Sequence, residues 1–211
     1  MSKYLPLFPL SVVVFPGEKL NLHIFEPRYK QLVLECAENG TTFGIPTYIN
    51  NGVGLYGTEI ALLSIDKKHD NGEMDIRTKG LGIFKLLRFD RMAPGRLYAG
   101  GEVELVENNA EEDIITKMKI KELLQQLYTA LGLTKFSADL PEDFKSYDVA
   151  HHLGLNVAQE YALLQLRSEK ERQEVILLHL QQVLPVVRET EKLKDRVRLN
   201  GHFKNLTPPN F

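Results

Sequence analysis

The chain has 211 residues, of which 43% are apolar, and its formal net charge is −2. This length is sufficient for one large domain or two small ones, with an ordinary core that needs neither disulfides nor metals. The near-neutral charge excludes a general attraction to nucleic acid or anionic membranes, and no apolar run approaches the roughly 18 residues that span a bilayer.

The segment from Pro6 to Tyr29 combines several local signals in a short stretch. Two apolar runs, each closed by a proline, come first, and a Pro-Gly turn follows them. Lys19–Ile24 then alternates apolar and polar residues, which predicts a half-buried strand. Its apolar face carries Leu20, Leu22 and Ile24.

A helix is predicted directly after this strand. Pro27 suits the first turn of a helix, where its missing N–H costs nothing, and Gly40 is a plausible stop. One apolar stripe at helical spacing contains Tyr29, Leu32, Val33 and Cys36. Cys36 is the one cysteine of the chain, so we expect a buried free thiol in a reducing compartment.

The next predicted strand is Thr58–Lys68, which carries apolar residues on both of its faces and is therefore expected to be buried on both sides. Asn71-Gly72 follows it. This dipeptide is typical of a type I′ hairpin turn, which needs a positive φ at both residues. Glu73–Lys79 is predicted to return as the partner strand.

Two more strands, Ile83–Phe89 and Leu97–Val106, are predicted to pair through a turn at Pro94-Gly95. Several short strands at this spacing favour a barrel or a highly twisted sheet.

Helical patterns replace the strands after Asn108. Ile114–Leu131 has helical periodicity and is followed by Gly132, and residues 134–145 are predicted to form a loop. A short helix at Tyr147–Leu153, a second one capped by Asn156, and a third, longest helix complete the pattern. Pro185 lies inside the longest helix and is predicted to kink or break it.

Several of these segments resemble the Lon N-terminal domain, the substrate-recruiting module of ATP-dependent Lon proteases. The resemblance rests on the segments Phe15-Pro16-Gly17, Phe25-Glu26-Pro27-Arg28-Tyr29, Gly57-Thr58-Glu59-Ile60, Asp70–Gly72 and Gly80–Phe84. Ile83 stands where relatives carry an arginine, so no role of that arginine is transferred. The similarity is strong to residue 90 and looser in the helical half.

The resemblance implies an α+β fold, in which a β-rich, PUA-like pseudo-barrel with one helix is followed by a helical bundle. We expect a β-rich subdomain over residues 1–108, a helical bundle over 109–199 and an irregular tail over 200–211. The resemblance also implies recognition of protein substrates or partners, with no chemistry in the module itself.

The family motif is interpreted mainly as structural. Its residues are Phe15, Pro16, Gly17, Phe25, Glu26, Pro27, Arg28 and Tyr29. We expect the first three to end a strand and turn the chain, and Phe25 and Tyr29 to pack on the sheet. Glu26 could accept helix-terminal N–H bonds, and Arg28 could pair with Glu26. The alternative is that Arg28 or Tyr29 contacts a ligand.

No motif for catalysis is present in the sequence. A phosphate-binding G-x-x-x-x-G-K-[ST] loop is excluded because the chain has no Gly-Lys dipeptide. Nothing matches the serine setting of the Lon peptidase, and none of the six histidines forms an H-E-x-x-H pair. We therefore expect no catalytic residue, no metal site and no cofactor.

A basic strip is the one feature that suggests an anionic partner. It contains Arg77, Lys79, Lys85, Arg88, Arg91 and Arg96. Within the segment from Arg77 to Arg96, Asp90 is the one acidic residue, so the net charge of the segment is 6 − 1 = +5. These residues alternate with apolar ones, which favours the solvated face of a half-buried sheet. RNA or another anion is the alternative partner.

The sequence therefore favours a non-catalytic, cytoplasmic module that binds protein segments, whether unfolded or native. An RNA- or anion-binding module is the first alternative, and a peptidase-related activity is the second. A membrane partner is not expected, and the sequence predicts neither the binding surface nor the oligomeric state.

Overall fold

The computed structural model describes residues 2–133 and 140–202. Its strands are β1 (Ser2–Leu7), β2 (Lys19–Ile24), β3 (Phe43–Ile49), β4 (Gly52–Lys68), β5 (Met74–Asp90) and β6 (Ala99–Leu105). Its helices are α1 (Pro27–Asn39), α2 (Ile114–Ala130), α3 (Ser146–Val149), α4 (Val157–Gln165) and α5 (Glu169–His202), with a 3-10 turn at Ala150–His152. The predicted α+β class is confirmed.

The strands form one mixed sheet that closes on itself. Their order is β2-β5-β4-β3-β1-β6, and β6 also pairs with β5. Five strands therefore make a closed ring, and β2 lies outside it on the first half of β5. The β1–β3 pair is parallel, whereas the other pairs are antiparallel. Closure leaves few free strand edges in the ring.

The described residues fall into two compact units. The first comprises the residues up to Ala110 together with Lys145–Glu169, and the second comprises those of Glu111–Phe144 and those from Lys170 onward. The division near residue 110 lies close to the predicted boundary at 108. The grouping of Lys145–Glu169 with the strands differs from the prediction, and side-chain contacts far apart in sequence explain it.

Two of those contacts join Lys145–Glu169 to the β-rich part of the first unit. The rings of Phe15 and Tyr147 stack with centroids 4.9 Å apart. The backbone N–H of Tyr56 donates to the Tyr161 hydroxyl at 2.9 Å. Neither contact has a local sequence signal, because each depends on where the two segments lie in the folded unit.

The predicted strands Glu73–Lys79 and Ile83–Phe89 are two halves of the single 17-residue strand β5. Gly80 lies between the two halves. It does not interrupt the strand; the backbone of Phe15 lies close to it there. A Cβ at Gly80 would lie 2.4 Å from the carbonyl oxygen of Phe15. Gly80 also donates to the Glu18 carbonyl at 2.8 Å and accepts from the Gly17 N–H at 2.9 Å.

The type I′ turn occurs at a different hairpin from the predicted one. Asn50 and Asn51, between β3 and β4, have φ angles of 52° and 59°, as this turn requires. At the β4–β5 hairpin only Gly72 has a positive φ, of 76°. That loop is longer, and the N–H of His69 donates to the Glu73 carbonyl across it at 2.8 Å.

Strand β4 is buried on both faces, as predicted, only over residues 57–60, and the residues that follow are half-buried or exposed. Ile60 is fully buried, whereas Leu63 is 52% exposed. Three register shifts between β4 and β5 rotate the strand along its length. Apolar residues on both faces of a strand therefore do not by themselves establish burial on both sides.

Helix α1 and strand β2 agree with their predictions. The helix begins at Pro27, and Gly40 ends it with a φ of 62°. Its buried residues are Tyr29, Leu32, Val33 and Cys36. Burial raises the pKa of the Cys36 thiol, which agrees with an unreactive core cysteine.

The second unit contains α2 and most of α5. Asp113 caps α2 by accepting from the N–H groups of Ile115 and Thr116, at 2.8 and 3.2 Å. Helix α5 continues through Pro185, so of the predicted kink or break the break does not occur. Residues 200–202 are helical, although the irregular tail was predicted to begin at residue 200. The rest of that tail, residues 203–211, lies outside the described residues, and so do residues 134–139 of the predicted loop. Within the described part of the chain, no helix is long and apolar enough to cross a membrane.

His151 forms a charged cluster in the first unit. Its Nε2 lies 3.2 Å from the Glu18 carboxylate, and its Nδ1 lies 2.8 Å from the Glu160 carboxylate. The hydrogen bond with Glu18 is the main cause that raises the pKa of His151 to about 9, against the opposing effect of burial.

We expect this cluster to make the stability of the first unit depend on pH. Because the folded pKa is raised, its contribution is fully present below about pH 6.5 and is lost as pH rises through about 9. The side chain is 36% exposed, so solvent screening reduces the contribution to about 1–2 kcal/mol. Urea unfolding of the wild type and of His151→Gln, followed by circular dichroism, measures it. The two proteins should differ near pH 6 and converge near pH 9.5, and a difference independent of pH would contradict the assignment.

Candidate functional site

An open cleft of about 570 Å³ lies in the first unit. It is formed where the start of α1, the β3–β4 turn and the end of β5 meet. The lining residues are Pro9, Arg28, Tyr29, Tyr48, Asn51, Gly52, Val53, Phe89, Arg91 and Ala99. The structure thus brings two residues of the family motif, Arg28 and Tyr29, together with one residue of the basic strip, Arg91.

Arg28 and Tyr29 are held in place by the first turn of α1 and by a neighbouring ring. Phe8 stacks on Tyr29 with ring centroids 3.7 Å apart. The Arg28 guanidinium lies 4.5 Å from the centre of the Tyr29 ring, and its Nε donates to the Glu26 carboxylate at 2.8 Å. The predicted Arg28–Glu26 pair is therefore present.

The remaining motif residues do not line the cleft. The Glu26 side chain makes no helix-capping hydrogen bond, because it pairs with Arg28; the Glu26 carbonyl accepts from Tyr29 and Lys30 instead. Phe25 is 58% exposed, so it lies outside the core, and it packs on the sheet against the ring of His23 on β2, with centroids 6.4 Å apart. Phe15 is buried but does not end a strand, and the turn that follows it places Gly17 at a φ of 88°.

The opposite wall of the cleft comes from strand ends, of which the sequence had singled out Arg91 alone. Tyr48 lies near the end of β3, and Asn51 lies in the turn that follows it. Phe89 and Arg91 lie at and just beyond the last residues of β5. Tyr48 is held by its N–H, which donates to the Leu10 carbonyl at 2.7 Å, while 42% of the residue remains exposed.

The cleft is positively charged and partly aromatic. No carboxylate is among its lining residues. Arg28 is partly neutralised by Glu26, whereas Arg91 forms no ion pair within the described residues. Burial is the main cause that raises the pKa of Tyr29, so this phenol stays neutral. The arrangement suits a ligand with an anionic group beside an aromatic or apolar group.

The basic strip is not assembled into one site. Carboxylates pair with three of its six members: Asp66 with Arg77, Asp90 with Arg88 and Glu35 with Arg96, at 2.6, 3.3 and 2.9 Å. Arg77 and Arg91 are 14 residues apart along and beyond β5, which is roughly 45 Å along the strand contour. Of the six, Arg91 is the member that lines the cleft.

A second cluster of functional side chains lies at the β4–β5 hairpin. Among the described residues, His23, His69 and Asp75 each place one possible metal-ligating atom within 4.8 Å of the others. The sequence predicted no metal site, because the three residues match no spaced motif. Their proximity depends on the strand register, in which His23 is the partner of Asp75.

Comparisons with known proteins agree with this architecture. The family model for the ATP-dependent protease La (LON) substrate-binding domain matches residues 4–182. A crystal structure of a Lon N-terminal domain protein from Xanthomonas campestris is similar, with a TM-score of 0.65 and 27% identity over 83% of this chain and 98% of that one.

A second solved structure supports the fold alone. The N-terminal domain of a Mycobacterium avium complex Lon protease has a TM-score of 0.62 and 17% identity, over 85% of this chain and 98% of that one. A search of curated proteins gave no match.

Proposed function

This chain belongs to the family of Lon substrate-binding domains, and from that premise we propose that it is a non-catalytic module that binds extended segments of other proteins. The proposal assigns binding to the cleft of the first unit. A free, buried cysteine supports a reducing, cytoplasmic location as part of the same proposal.

The observation that carries the proposal is the composition of the cleft. Arg91 offers a guanidinium that no carboxylate of the described residues pairs with, and the rings of Tyr48 and Phe89 line the same space. A volume of about 570 Å³ is in the range of sites that hold a few side chains rather than a whole domain. We infer that the preferred segment carries an acidic residue close to an aromatic or apolar one.

The residues of the cleft also support binding without catalysis. Its lining contains no serine, cysteine, lysine or histidine, so it lacks an activated nucleophile and a base of ordinary pKa. Catalysis in the parent proteases needs the phosphate-binding loop and the serine setting that this sequence does not contain.

We expect fluorescein-labelled β-casein, an unfolded acidic protein, to bind the chain in a fluorescence anisotropy titration. Arg91→Glu should weaken this binding at least about tenfold, or about 1.4 kcal/mol, because it replaces the unpaired positive charge of the cleft by a negative one. Tyr48→Ala should weaken it as well. Lys79→Glu is the matched control, since it makes the same charge reversal on β5 outside the cleft.

Equal losses in Arg91→Glu and Lys79→Glu would indicate general electrostatics and would overturn the assignment to the cleft. Cleavage of the casein, followed on gels with and without ATP, would contradict a non-catalytic role. A labelled single-stranded RNA serves as a further probe. Salt-dependent RNA binding that is lost on charge reversal of Arg88 and Arg91 would favour the RNA-binding alternative instead.

A further inference from the structure

Three adjacent strands present polar side chains at the end of the β4–β5 hairpin. His23 on β2 and Asp75 on β5 are cross-strand partners. His69 directly follows the last residue of β4. Because side chains of directly paired residues point to the same face of a sheet, His23 and Asp75 meet there, and His69 closes the group from the loop.

The Asp75 carboxylate lies between the two imidazole rings. Its Oδ1 is 2.6 Å from Nδ1 of His23, and its Oδ2 is 2.7 Å from Nε2 of His69. The two rings are nearly perpendicular, with centroids 5.6 Å apart. Two nitrogens and one carboxylate thus converge on one point from three separate segments.

Glu73 supplies the feature that distinguishes this group from an ordinary polar cluster. Its carboxylate lies 3.1 Å from Nε2 of His23, the ring nitrogen on the other side from Asp75. A histidine that binds a metal through one nitrogen typically donates its other N–H to a carboxylate, which sets the tautomer. The backbone of Glu73 is itself held, since its N–H donates to Asn71 Oδ1 at 3.1 Å and its carbonyl accepts from His69 at 2.8 Å.

We propose that Nδ1 of His23, Nε2 of His69 and a carboxylate oxygen of Asp75 bind a divalent metal ion of the zinc type, with water as a fourth ligand. Imidazole donors favour zinc, cobalt, nickel and copper over magnesium and calcium. The charge also suits a divalent ion, because ligation requires neutral imidazoles and Asp75 and Glu73 then leave a charge of −2.

The side chains have the freedom that binding requires. In a tetrahedral site with bonds of about 2.1 Å, neighbouring ligand atoms are about 3.4 Å apart. The present distances of 2.6 and 2.7 Å must therefore open by a fraction of an ångström. The side chains of His23, His69 and Asp75 are 48%, 29% and 43% exposed, so they can adjust without disturbing the core. The bound ion cross-links β2, β5 and the hairpin loop.

The test is a calorimetric titration of the full chain, without a polyhistidine tag, with ZnCl₂. We expect one saturable site of micromolar affinity. His23→Ala and His69→Ala should each weaken it by at least about tenfold, and Glu73→Gln should weaken it by about tenfold through the lost orientation of His23. His152→Ala is the matched control and should bind as the wild type does. Saturating zinc should raise the Tm of the wild type by about 5 °C and leave that of His69→Ala unchanged.

The absence of saturable binding, or equal binding by the wild type and His69→Ala, would overturn the proposal and leave a hydrogen-bonded cluster. Circular dichroism of each variant establishes that it is folded. His69 lies in an exposed loop, so its substitution keeps the test decisive even if His23→Ala is destabilised. Titration with CoCl₂ provides a second readout, because tetrahedral cobalt absorbs visible light far more strongly, and at longer wavelength, than octahedral cobalt in water.

Discussion

Replacing Gly57 with alanine is expected to destabilise the first unit by about 3 kcal/mol. A Cβ at this position would lie 2.5 Å from both the carbonyl oxygen of Ile45 and the Cα of Pro46, and 2.7 Å from the ring of Phe84. The first two atoms belong to the backbone of β3, which is paired with β4 at this point. They can move only if the strand ladder is disturbed.

Gly82→Ala is the matched control for this substitution. Gly82 also lies inside a strand of the ring, but a Cβ there meets no atom within 4 Å, so its effect should stay within about 0.5 kcal/mol. Urea unfolding followed by circular dichroism measures both variants, since the chain has no tryptophan. If the two alanine variants were equally stable, the close approach of β3 to Gly57 would be wrong.

Replacing Phe84 with alanine is expected to cost about 4 kcal/mol, which is the usual range for a fully buried phenylalanine. Phe84 is 0% exposed and belongs to a core cluster with Leu5, Leu7, Leu86 and Val103. Leu87→Ala, on the same strand but 51% exposed, should cost less than about 1 kcal/mol. The same urea titration compares them.

A double variant tests the packing around Phe84 more sharply. A Cβ at Gly44 would meet side-chain atoms of Phe84 and Leu7 at 2.8 Å. Removing the Phe84 ring relieves part of this clash, so Gly44→Ala/Phe84→Ala should be more stable than the sum of the two single effects predicts. Gly57→Ala should show little such rescue, because its nearest obstacles are backbone atoms. Additive effects at Gly44 would contradict this packing.

The close approach of Gly44 and Gly57 to the ring of Phe84 gives a physical reason for the glycine in the segment Gly57-Thr58-Glu59-Ile60, one of those on which the family resemblance rests. Strands β3 and β4 both lie against the Phe84 ring, and each has a glycine, Gly44 or Gly57, at the point of contact. The resemblance therefore marks positions that the fold needs. The resemblance does not predict the cleft, because Tyr48, Phe89 and Arg91 lie outside the segments on which the resemblance rests.

The predicted features that are confirmed depend on short-range signals. Pro27 and Gly40 bound α1 because each suits the backbone geometry of a helix end. The apolar spacing of α1 follows the helical period of about 3.6 residues, and the alternation of β2 follows the strand period of about 2 residues. Asn156 and Gln159 form the capping box that starts α4. All of these effects act within about four residues, so the sequence alone determines them.

The predictions that failed depend on partners far apart in the chain. The type I′ turn lies at Asn50-Asn51 because the register of β3 and β4 leaves two residues there. Phe25 is exposed although Ile24 beside it is buried, because successive residues of an extended segment point to opposite faces. Pro185 lies inside α5, which continues beyond it, so the helix-breaking tendency of a single proline does not decide where this helix ends.

The sequence by itself determined the family, the α+β class, most of the local elements and the absence of a phosphate-binding loop. Only the tertiary structure decided which side chains meet. It placed Arg28 and Arg91 on the walls of one cleft, brought ligating atoms of His23, His69 and Asp75 within 4.8 Å of one another, and grouped Lys145–Glu169 with the strands. The physical reason is that strand register and ring closure depend on all strands at once. Hydrophobic periodicity and helix capping, in contrast, depend only on residues within a single turn or strand.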